Sequence, residues 1–398
     1  MTDVLTGALT ADDLEGWTHT TLGEIATFYN GRAYKKDELL PDGKYRVLRV
    51  GNFFSNKSWY WSDLELDENK YCDGGDLLYA WSASFGPRIW DGEKVIFHYH
   101  IWKVVEDNGQ VDKRWLNMWL DNDVSRIKEA VGTGTTMTHV TKREMERRVV
   151  VLPPLSEQLK VVEILEDQLA RLDTALQSVH IVREKAAQFR RSLLHTAFTG
   201  SLTGHDVEKG ELPADWELGA LEDLLDVSIG GVWGKEEGTL EVDVDVIRVT
   251  ELKAHGVIDP GTAARRSVTH KQLSSRSLQE GDLLLEKSGG GPKTPVGRVG
   301  YIPKLDRASV CSNFMQLMRP NRERVLPVFL HHFLTGFHAN GGTVALQTAT
   351  TNIRNIKSSE YLATTVPLPS FEEQDRIVEI LEDQLSRLDA SLAMAGAV

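Results

Sequence analysis

The sequence predicts an α+β chain in which two mixed α/β domains are separated by two long antiparallel coiled-coil helices, the whole forming a pseudo-twofold circular repeat. Three observations predict it. The stretch from Leu152, LPPLSEQLKVVEILEDQLARLDTAL, returns from Leu368 as LPSFEEQDRIVEILEDQLSRLDASL, identical at about two-thirds of its positions. Before each copy, weaker echoes occur in the same order. LTGALT at Leu5 also resembles FTGSLT at Phe198, just past the first helix, whereas the second helix stops near Val398 without that tail. The N-terminus thus looks like the missing end of the second unit.

The helices follow from spacing. Val162, Leu165, Leu169, Leu172, Leu176 and Val179 step by three and four, a coiled-coil seam, and Val378, Leu381, Leu385, Leu388 and Leu392 repeat it. The first seam shifts register at Val182 and resumes through Ala186, Phe189 and Leu193. Pro153 and Pro154 precede the first helix, and Ser370 with Glu373 has capping-box spacing at the second. A helix from Ser156 to His195 would be a rod of ~60 Å at 1.5 Å per residue.

The domains are read from short β-branched and aromatic runs bounded by turn residues. RVLRV from Arg46, DLLYAW and KVIFHYHIWKVV answer DVIRVT, DLLLEK and SVCSNFMQLM, while WLNMWL and VFLHHFL read as short helices. Among the echoes, Trp17 and Leu22 match Trp216 and Leu221, VLRV at Val47 matches VIRV at Val246, and GDLLY at Gly75 matches GDLLL at Gly281. HIWKVVE at His100 lines up with NFMQLMR at Asn313. The expected boundaries are 1–150 for the first domain, 151–203 for the central helix, 204–366 for the second domain and 367–398 for the last helix.

Composition narrows the function. The chain has 398 residues, 41% hydrophobic and 26% charged, a globular balance. It contains no apolar run near the ~20 residues that span a bilayer, and its acidic start is unlike a signal peptide. Cys72 and Cys311 stand far apart, with no zinc or disulfide spacing. These features predict a cytoplasmic protein without a membrane partner. A net charge of −13 weighs against nucleic acid, but a basic stretch runs from Arg265 to Arg307 while the helices carry acids.

Loops supply the candidate DNA contacts, because glycine admits a phosphate close to the backbone and Arg or Lys reaches phosphates or guanine edges. They are Arg32, Lys35 and Lys36 after Tyr29; Trp81, Ser82, Ser84 and Arg88; Trp233 and Lys235; and Lys287, Ser288, Lys293 and Arg298. On the rods, Glu163, Asp167 and Arg171 recur as Glu379, Asp383 and Arg387, twin surfaces suited to two copies of one partner.

Catalytic motifs weigh little. An adenine methyltransferase needs an Asn-Pro-Pro-Tyr-like turn, and no Asn-Pro pair occurs. GGGPKT from Gly289 lacks phosphate-loop spacing. Asp42 with Glu68 and Lys70 formally matches a metal nuclease, but sits in a turn and has no counterpart in the second unit. His98 and His100 would share one strand face, opposite Cys311 and Asn313 of the repeat, which favours packing or DNA contact over metal. Adjacent His331 and His332 cannot ligate from one helix face. No catalytic or metal-binding residue is expected.

Variable domain, LPPLSEQ-type helix entry, EILEDQL rod and FTGSLT exit, then the same again, resemble the specificity subunit of type I restriction–modification systems over essentially the whole chain. The resemblance implies two target-recognition domains, each reading one half of a bipartite double-stranded DNA site. It implies a gap set by the helices and two docked modification subunits that methylate adenine N6 with S-adenosylmethionine, joined in some assemblies by motor-nuclease subunits. The chain itself would bind no cofactor and do no chemistry. The competing readings are a scaffold with twin protein-binding domains and a stand-alone nuclease or methyltransferase.

Overall fold

In the computed structural model the described residues are 16–55, 58–82, 86–106, 109–131, 140–206, 211–290, 295–349 and 353–396, with side chains of 128–131 left aside. The LTGALT echo, Ser84 and Lys293 lie outside them. The chain divides into two units, 1–175 and 176–398.

The first unit contains strands β1 (Thr18–Thr21), β2 (Ala26–Asn30), β3 (Tyr45–Leu48), β4 (Tyr60–Ser62) and β5 (Tyr71–Cys72). These are followed by β6 (Leu77–Ala80), β7 (Gly86–Ile89), β8 (Val95–Phe97), β9 (Ile101–Glu106) and β10 (Val149–Leu152). Two four-stranded sheets form, in the orders β2-β9-β6-β7 and β4-β3-β8-β5, and β1 pairs with β10. The helices are α1 (Leu22–Ile25), α2 (Val50–Ser55), α3 (Lys113–Val131), α4 (Lys142–Glu146) and the first part of α5 (Leu155–Ala197). WLNMWL, expected as a short helix, is the opening of the much longer α3. Phe28, Leu77, Tyr79 and Trp102 from the first sheet meet Leu116 of α3, Met145 of α4 and Val162 of α5 in one core. Burial of this apolar set is the main force holding the rod's start to the domain.

The second unit repeats the plan. Its strands are β11 (Glu217–Ala220), β12 (Leu225–Gly230), β13 (Val242–Ile247), β14 (Ala264–Val268), β15 (Leu283–Glu286) and β16 (Ser288–Gly289). Then come β17 (Val299–Tyr301), β18 (Ser309–Cys311), β19 (Met315–Pro320), β20 (Gln347–Ala349), β21 (Arg354–Ile356) and β22 (Thr365–Leu368). The sheets β12-β19-β15-β17 and β14-β13-β18 match the two of the first unit, and β11 pairs with β22 as β1 does with β10. In both units one sheet contains a single parallel pair, β3 with β8 and β13 with β18. The helices are α6 (His270–Arg276), α7 (Pro327–Ala339), α8 (Ser358–Leu362) and α9 (Phe371–Gly396).

Matching hydrogen bonds shift one echo by a residue. His98 N donates to Leu48 O as Ser312 N does to Ile247 O, and Arg32 N donates to Phe97 O as Val232 N does to Cys311 O. His98 therefore corresponds to Ser312, and His100 to Phe314 rather than Asn313. Nor do His98 and His100 share a strand face: KVIFHYHIWKVV breaks into β8 and β9 around a tight turn at Tyr99 and His100. The bulky run hid that turn, which contains neither Gly nor Pro. Gly31 and Gly231 seal the same place in each unit, since a Cβ on either would lie 2.4 or 2.2 Å from a carbonyl oxygen.

Rod and domain are joined by the Glu-Gln pair of the repeated motif. Buried Gln158 accepts from Asp112 N before α3 at 2.9 Å and donates to Gln110 O and Pro153 O. Buried Gln374 accepts from Leu326 N, the N-cap of α7, at 2.9 Å and donates to Pro369 O. Each glutamine thus satisfies an orphan donor at a helix start. Beside them, Trp17 Nε1 donates to Glu157 at 2.6 Å and Trp216 Nε1 to Glu373 at 3.1 Å. Glu373 also accepts from Thr203 and His205 of the FTGSLTGH exit. The capping box expected at Ser370 is therefore half formed: Ser370 Oγ accepts from Glu373 N, but the carboxylate is engaged elsewhere.

Helix α5 has 43 residues, about 64 Å of rise. Its seam is buried at Val162, Ala186 and Leu193 but bare between, with Leu165 42% exposed and Leu176 60%. The equivalent seam of α9 begins buried at Ile377 and Leu381 and continues half-buried through Leu385, Leu388 and Leu392. Within the second unit, Arg190 near the end of α5 pairs with Asp389 of α9.

Gln374→Leu and Gln158→Leu should each cost about 1–3 kcal/mol by stranding a buried backbone donor, against less than about 0.5 kcal/mol for exposed Gln168→Ala. Urea titration of the three variants checks this; equal midpoints would show that the glutamines do not hold the joint.

Candidate nucleic-acid interface

In each unit the same backbone frame gathers side chains from distant sequence. It consists of the residues after β2 or β12, the arginine after β3 or β13, the end of β6 or β15, and the turn before β9 or β19. Trp81 N donates to His100 O as Lys287 N does to Phe314 O, which aligns Trp81 with Lys287 and Ser82 with Ser288.

The first unit fills this frame with rings. Trp81 is half-buried, stacks on Trp102 at 5.7 Å, meets His100 edge-on at 5.1 Å, and donates its indole N–H to Tyr99 O at 2.8 Å. Tyr34 stacks on His98 at 6.4 Å. Burial, with His100 and Arg49 nearby, lowers the His98 pKa to about 4, so the imidazole is neutral near pH 7. Ser82 is buried, while Tyr99 is exposed at the tip.

The second unit opens a cavity of about 440 Å³ at the same place, lined by Trp233, Arg248, Val249, Thr250, Ser288, Gly289, Ser312, Asn313 and Phe314. Trp233 and Ser288, both expected DNA contacts, are thereby brought together. Ser288 Oγ donates to Asn355 Oδ1 at 2.6 Å, and the Arg266 guanidinium lies 4.5 Å over the Trp233 ring.

The expected basic contacts divide into two kinds. Lys35, Lys36 and Lys235 are exposed, and Lys287 is half-buried. The arginines are occupied. Arg32 forms a two-point pair with Glu38 at 2.8 and 2.9 Å, which holds that carboxyl down to about 2. Arg88 donates to Phe53 O and Asp91, lining a separate cavity with Asn52, Trp59 and Trp90. Arg298 forks onto buried Glu286 at 2.8 and 3.1 Å and reaches Leu252 O. Similar pairs bind Arg265 to Asp245 and Arg319 to Asp282. The basic stretch therefore offers much less free positive charge than its composition implies.

Glu163, Asp167 and Arg171 are exposed on α5, and Glu379, Asp383 and Arg387 on α9. The two surfaces share one internal geometry, with Arg171–Asp167 at 2.8 Å and Arg387–Asp383 at 2.9 Å.

Several residues of the frame went unread in the sequence. Arg49 and Arg248 lay inside VLRV and VIRV, strings that served only to mark the repeat. The turn residues lay within apparent strands. Glu157, Gln158, Glu373 and Gln374 carried a usable signal, identity in both copies at a helix entry. His205, Asp215 and Glu373 place ligand-type atoms within 4.8 Å of one another. The Glu373 carboxylate already accepts three side-chain hydrogen bonds there. Burial pushes its pKa up, but bonds from Thr203, His205 and Trp216 outweigh that and hold it low. The cluster is accounted for as part of the rod joint.

Comparison with known proteins agrees with this fold. The chain is 24% identical over 399 aligned residues to the type I restriction enzyme EcoBI specificity subunit of Escherichia coli, covering 94% of this chain and 81% of that one. It is 23% identical to the MjaVIII specificity subunit of Methanocaldococcus jannaschii, covering 92% and 86%. Among solved structures, the fold matches the HsdS subunit of Thermoanaerobacter tengcongensis with a TM-score of 0.54 at 18% identity, covering 96% and 91%. It also matches a chain from a study of complex assembly and conformational transition in the type I R-M system, with a TM-score of 0.60 at 17% identity, covering 96% and 93%. Among the described residues, no helix is long and apolar enough to cross a membrane. The profile of the type I restriction modification DNA specificity domain matches residues 14–178 and again 213–391, one match for each repeat, and the chain belongs to that family of non-catalytic, DNA-recognising specificity subunits.

Proposed function

We propose that the two units read the two halves of a bipartite double-stranded DNA site, and that α5 and α9 set the gap and dock two adenine-N6 methyltransferase subunits. The observation that carries this reading is one backbone frame built twice and filled differently: rings in the first unit, a cavity in the second. A constant frame with changed contents is what two half-sites of different sequence require. In this reading S-adenosylmethionine belongs to the methyltransferase partners and this chain holds no cofactor. Motor-nuclease subunits join the same cytoplasmic assembly when cleavage accompanies modification. The acid-rich twin surfaces on the rods support docking of two copies of one partner, because each presents the same residues at the same spacing.

The direct test is co-expression with a type I methyltransferase subunit of the same genome, followed by sequencing of host DNA for N6-methyladenine. A bipartite motif should appear, vanish on deletion of this chain, and change in only one half when residues 11–150 are replaced by those of a relative. A stable complex that leaves no motif would overturn the reading.

The exposed lysines should act through phosphates. Lys35→Ala, Lys36→Ala and Lys235→Ala should each lower the slope of log affinity against log salt by about one, weakening all sequences alike. Fluorescence anisotropy at several salt concentrations measures it, and an unchanged slope in the triple variant would remove these residues from the interface.

Charge reversal at Glu163, Asp167, Glu379 and Asp383 should abolish co-purification with the methyltransferase while leaving the melting temperature of the chain nearly unchanged. Retention of a full complex would place docking elsewhere.

A further inference from the structure

We propose that Arg248 is the specificity-determining side chain of the second unit, and that it reads a base-edge carbonyl, guanine O6 or thymine O4, through the cavity beside Trp233 and Phe314. The inference rests on the DNA-reading function above and identifies the residue and the chemistry by which one half-site is chosen.

Arg248 follows directly after β13 and lines the cavity. Its guanidinium is held from one side: Nε donates to Glu251 Oε2 at 3.0 Å, and Nη2 donates to Glu251 Oε1 at 2.7 Å and Thr262 O at 2.8 Å. Glu251 is 0% exposed and also accepts from Arg248 N, Thr250 Oγ1 and Thr262 Oγ1. Burial pushes the Glu251 carboxyl up, but these bonds outweigh it and hold it at about 2. Glu251 is thus ionised near pH 7, and its two-point pair fixes the guanidinium plane. Nη1 has no partner among the described residues, and the side chain keeps 35% exposure. A donor aimed from a rigid mount loses little conformational freedom on binding.

A second observation points to an absent ligand. Ser312, 2% exposed, lines the same cavity, and its hydroxyl has no hydrogen-bond partner. Buried hydroxyls are normally paired. Trp233, Val249 and Phe314 give the cavity apolar walls, which strengthen a polar contact made inside it.

The chemistry then selects. A guanidinium only donates: guanine offers it O6 and N7 and thymine offers O4, cytosine offers only its N4 amino group, and adenine's one acceptor, N7, has the N6 amino donor beside it, so a base-edge carbonyl is preferred. The first unit lacks the device. Arg49 holds the equivalent place, but Asn52 stands where Glu251 does, and Arg49 lies 5.1 Å over Tyr60. The two half-sites are therefore read by different means.

The test uses the complete methyltransferase complex, comparing wild type with Arg248→Ala and with the double variant Arg248→Gln/Glu251→Gln, which leaves no buried charge unpaired. The methylated motif is sequenced, and competition binding is measured on duplexes carrying each base at each position of the second half-site. Wild type should prefer guanine or thymine at one position by ten- to a hundredfold, on the order expected for one good base contact. The series shows which of the two it is. In both variants that preference should collapse at that position alone, with the first half-site unchanged as proof of an intact complex. Retention of the preference, or equal weakening on every sequence as for a phosphate contact, overturns the assignment. A wild-type complex that yields no motif fails the DNA-reading function itself, a result distinguishable from failure of Arg248 alone.

Discussion

The buried glutamine at each rod entry is the contact on which the rest depends. Gln158 and Gln374 each take a backbone N–H from the start of a domain helix and return their own N–H to a carbonyl at the rod entry. An amide accepts and donates at once, so one side chain closes both ends of the joint. Apolar residues there would supply burial but no direction. Hydrogen bonds add the angular requirement, and the indole bonds from Trp17 and Trp216 to the preceding glutamates repeat it from just before the domain's first strand. Hydrophobic burial of Val162 and Ile377 provides the bulk attraction. Fixing each reader to its own rod entry is the precondition for any site with a defined gap.

Charge is organised by the same economy. A chain at −13 has few bases to spare, and several of its acids neutralise arginines directly. Those acids serve as struts. Glu38, Glu251, Glu286 and Asp282 each hold an arginine in a two-point pair, with the last three buried. An arginine so held gains geometric precision and loses freedom to seek phosphate. In the reading proposed above, the exposed lysines carry the non-specific attraction, whereas clamped arginines serve structure or, where one nitrogen stays open, discrimination.

The architecture was legible because the chain states it twice. VEILEDQL in both copies located the rods, and the glycine-bounded apolar runs located the sheets. What escaped was whatever depends on pairing between strands. Arg298 meets Glu286 from just before a neighbouring strand, so the sequence showed an available cation where the fold has a closed pair. The turn at His98–His100 escaped because its residues are as bulky as those of the strands around it. A further echo escaped because it has almost no identity. Val140 and Met145 answer Ile356 and Tyr361, all four buried at the same offset as the rods, and only the burial pattern survives.

That last case explains why the two units can diverge so far and remain one fold. The conserved demands are few: a glycine where a carbonyl approaches, an apolar residue where two sheets meet, and an amide at the rod. Everything facing the frame's open side is free of them. In the first unit that freedom is spent on stacked rings with a neutral imidazole, and in the second on a cavity with a mounted guanidinium. On the reading proposed above, stability and specificity fall to different residues. A change of recognised sequence can therefore arise at the turn or beside Arg248 without disturbing the core, whereas a change at Gln158 or Gln374 would loosen the joint and leave the contents of the reading face as they are.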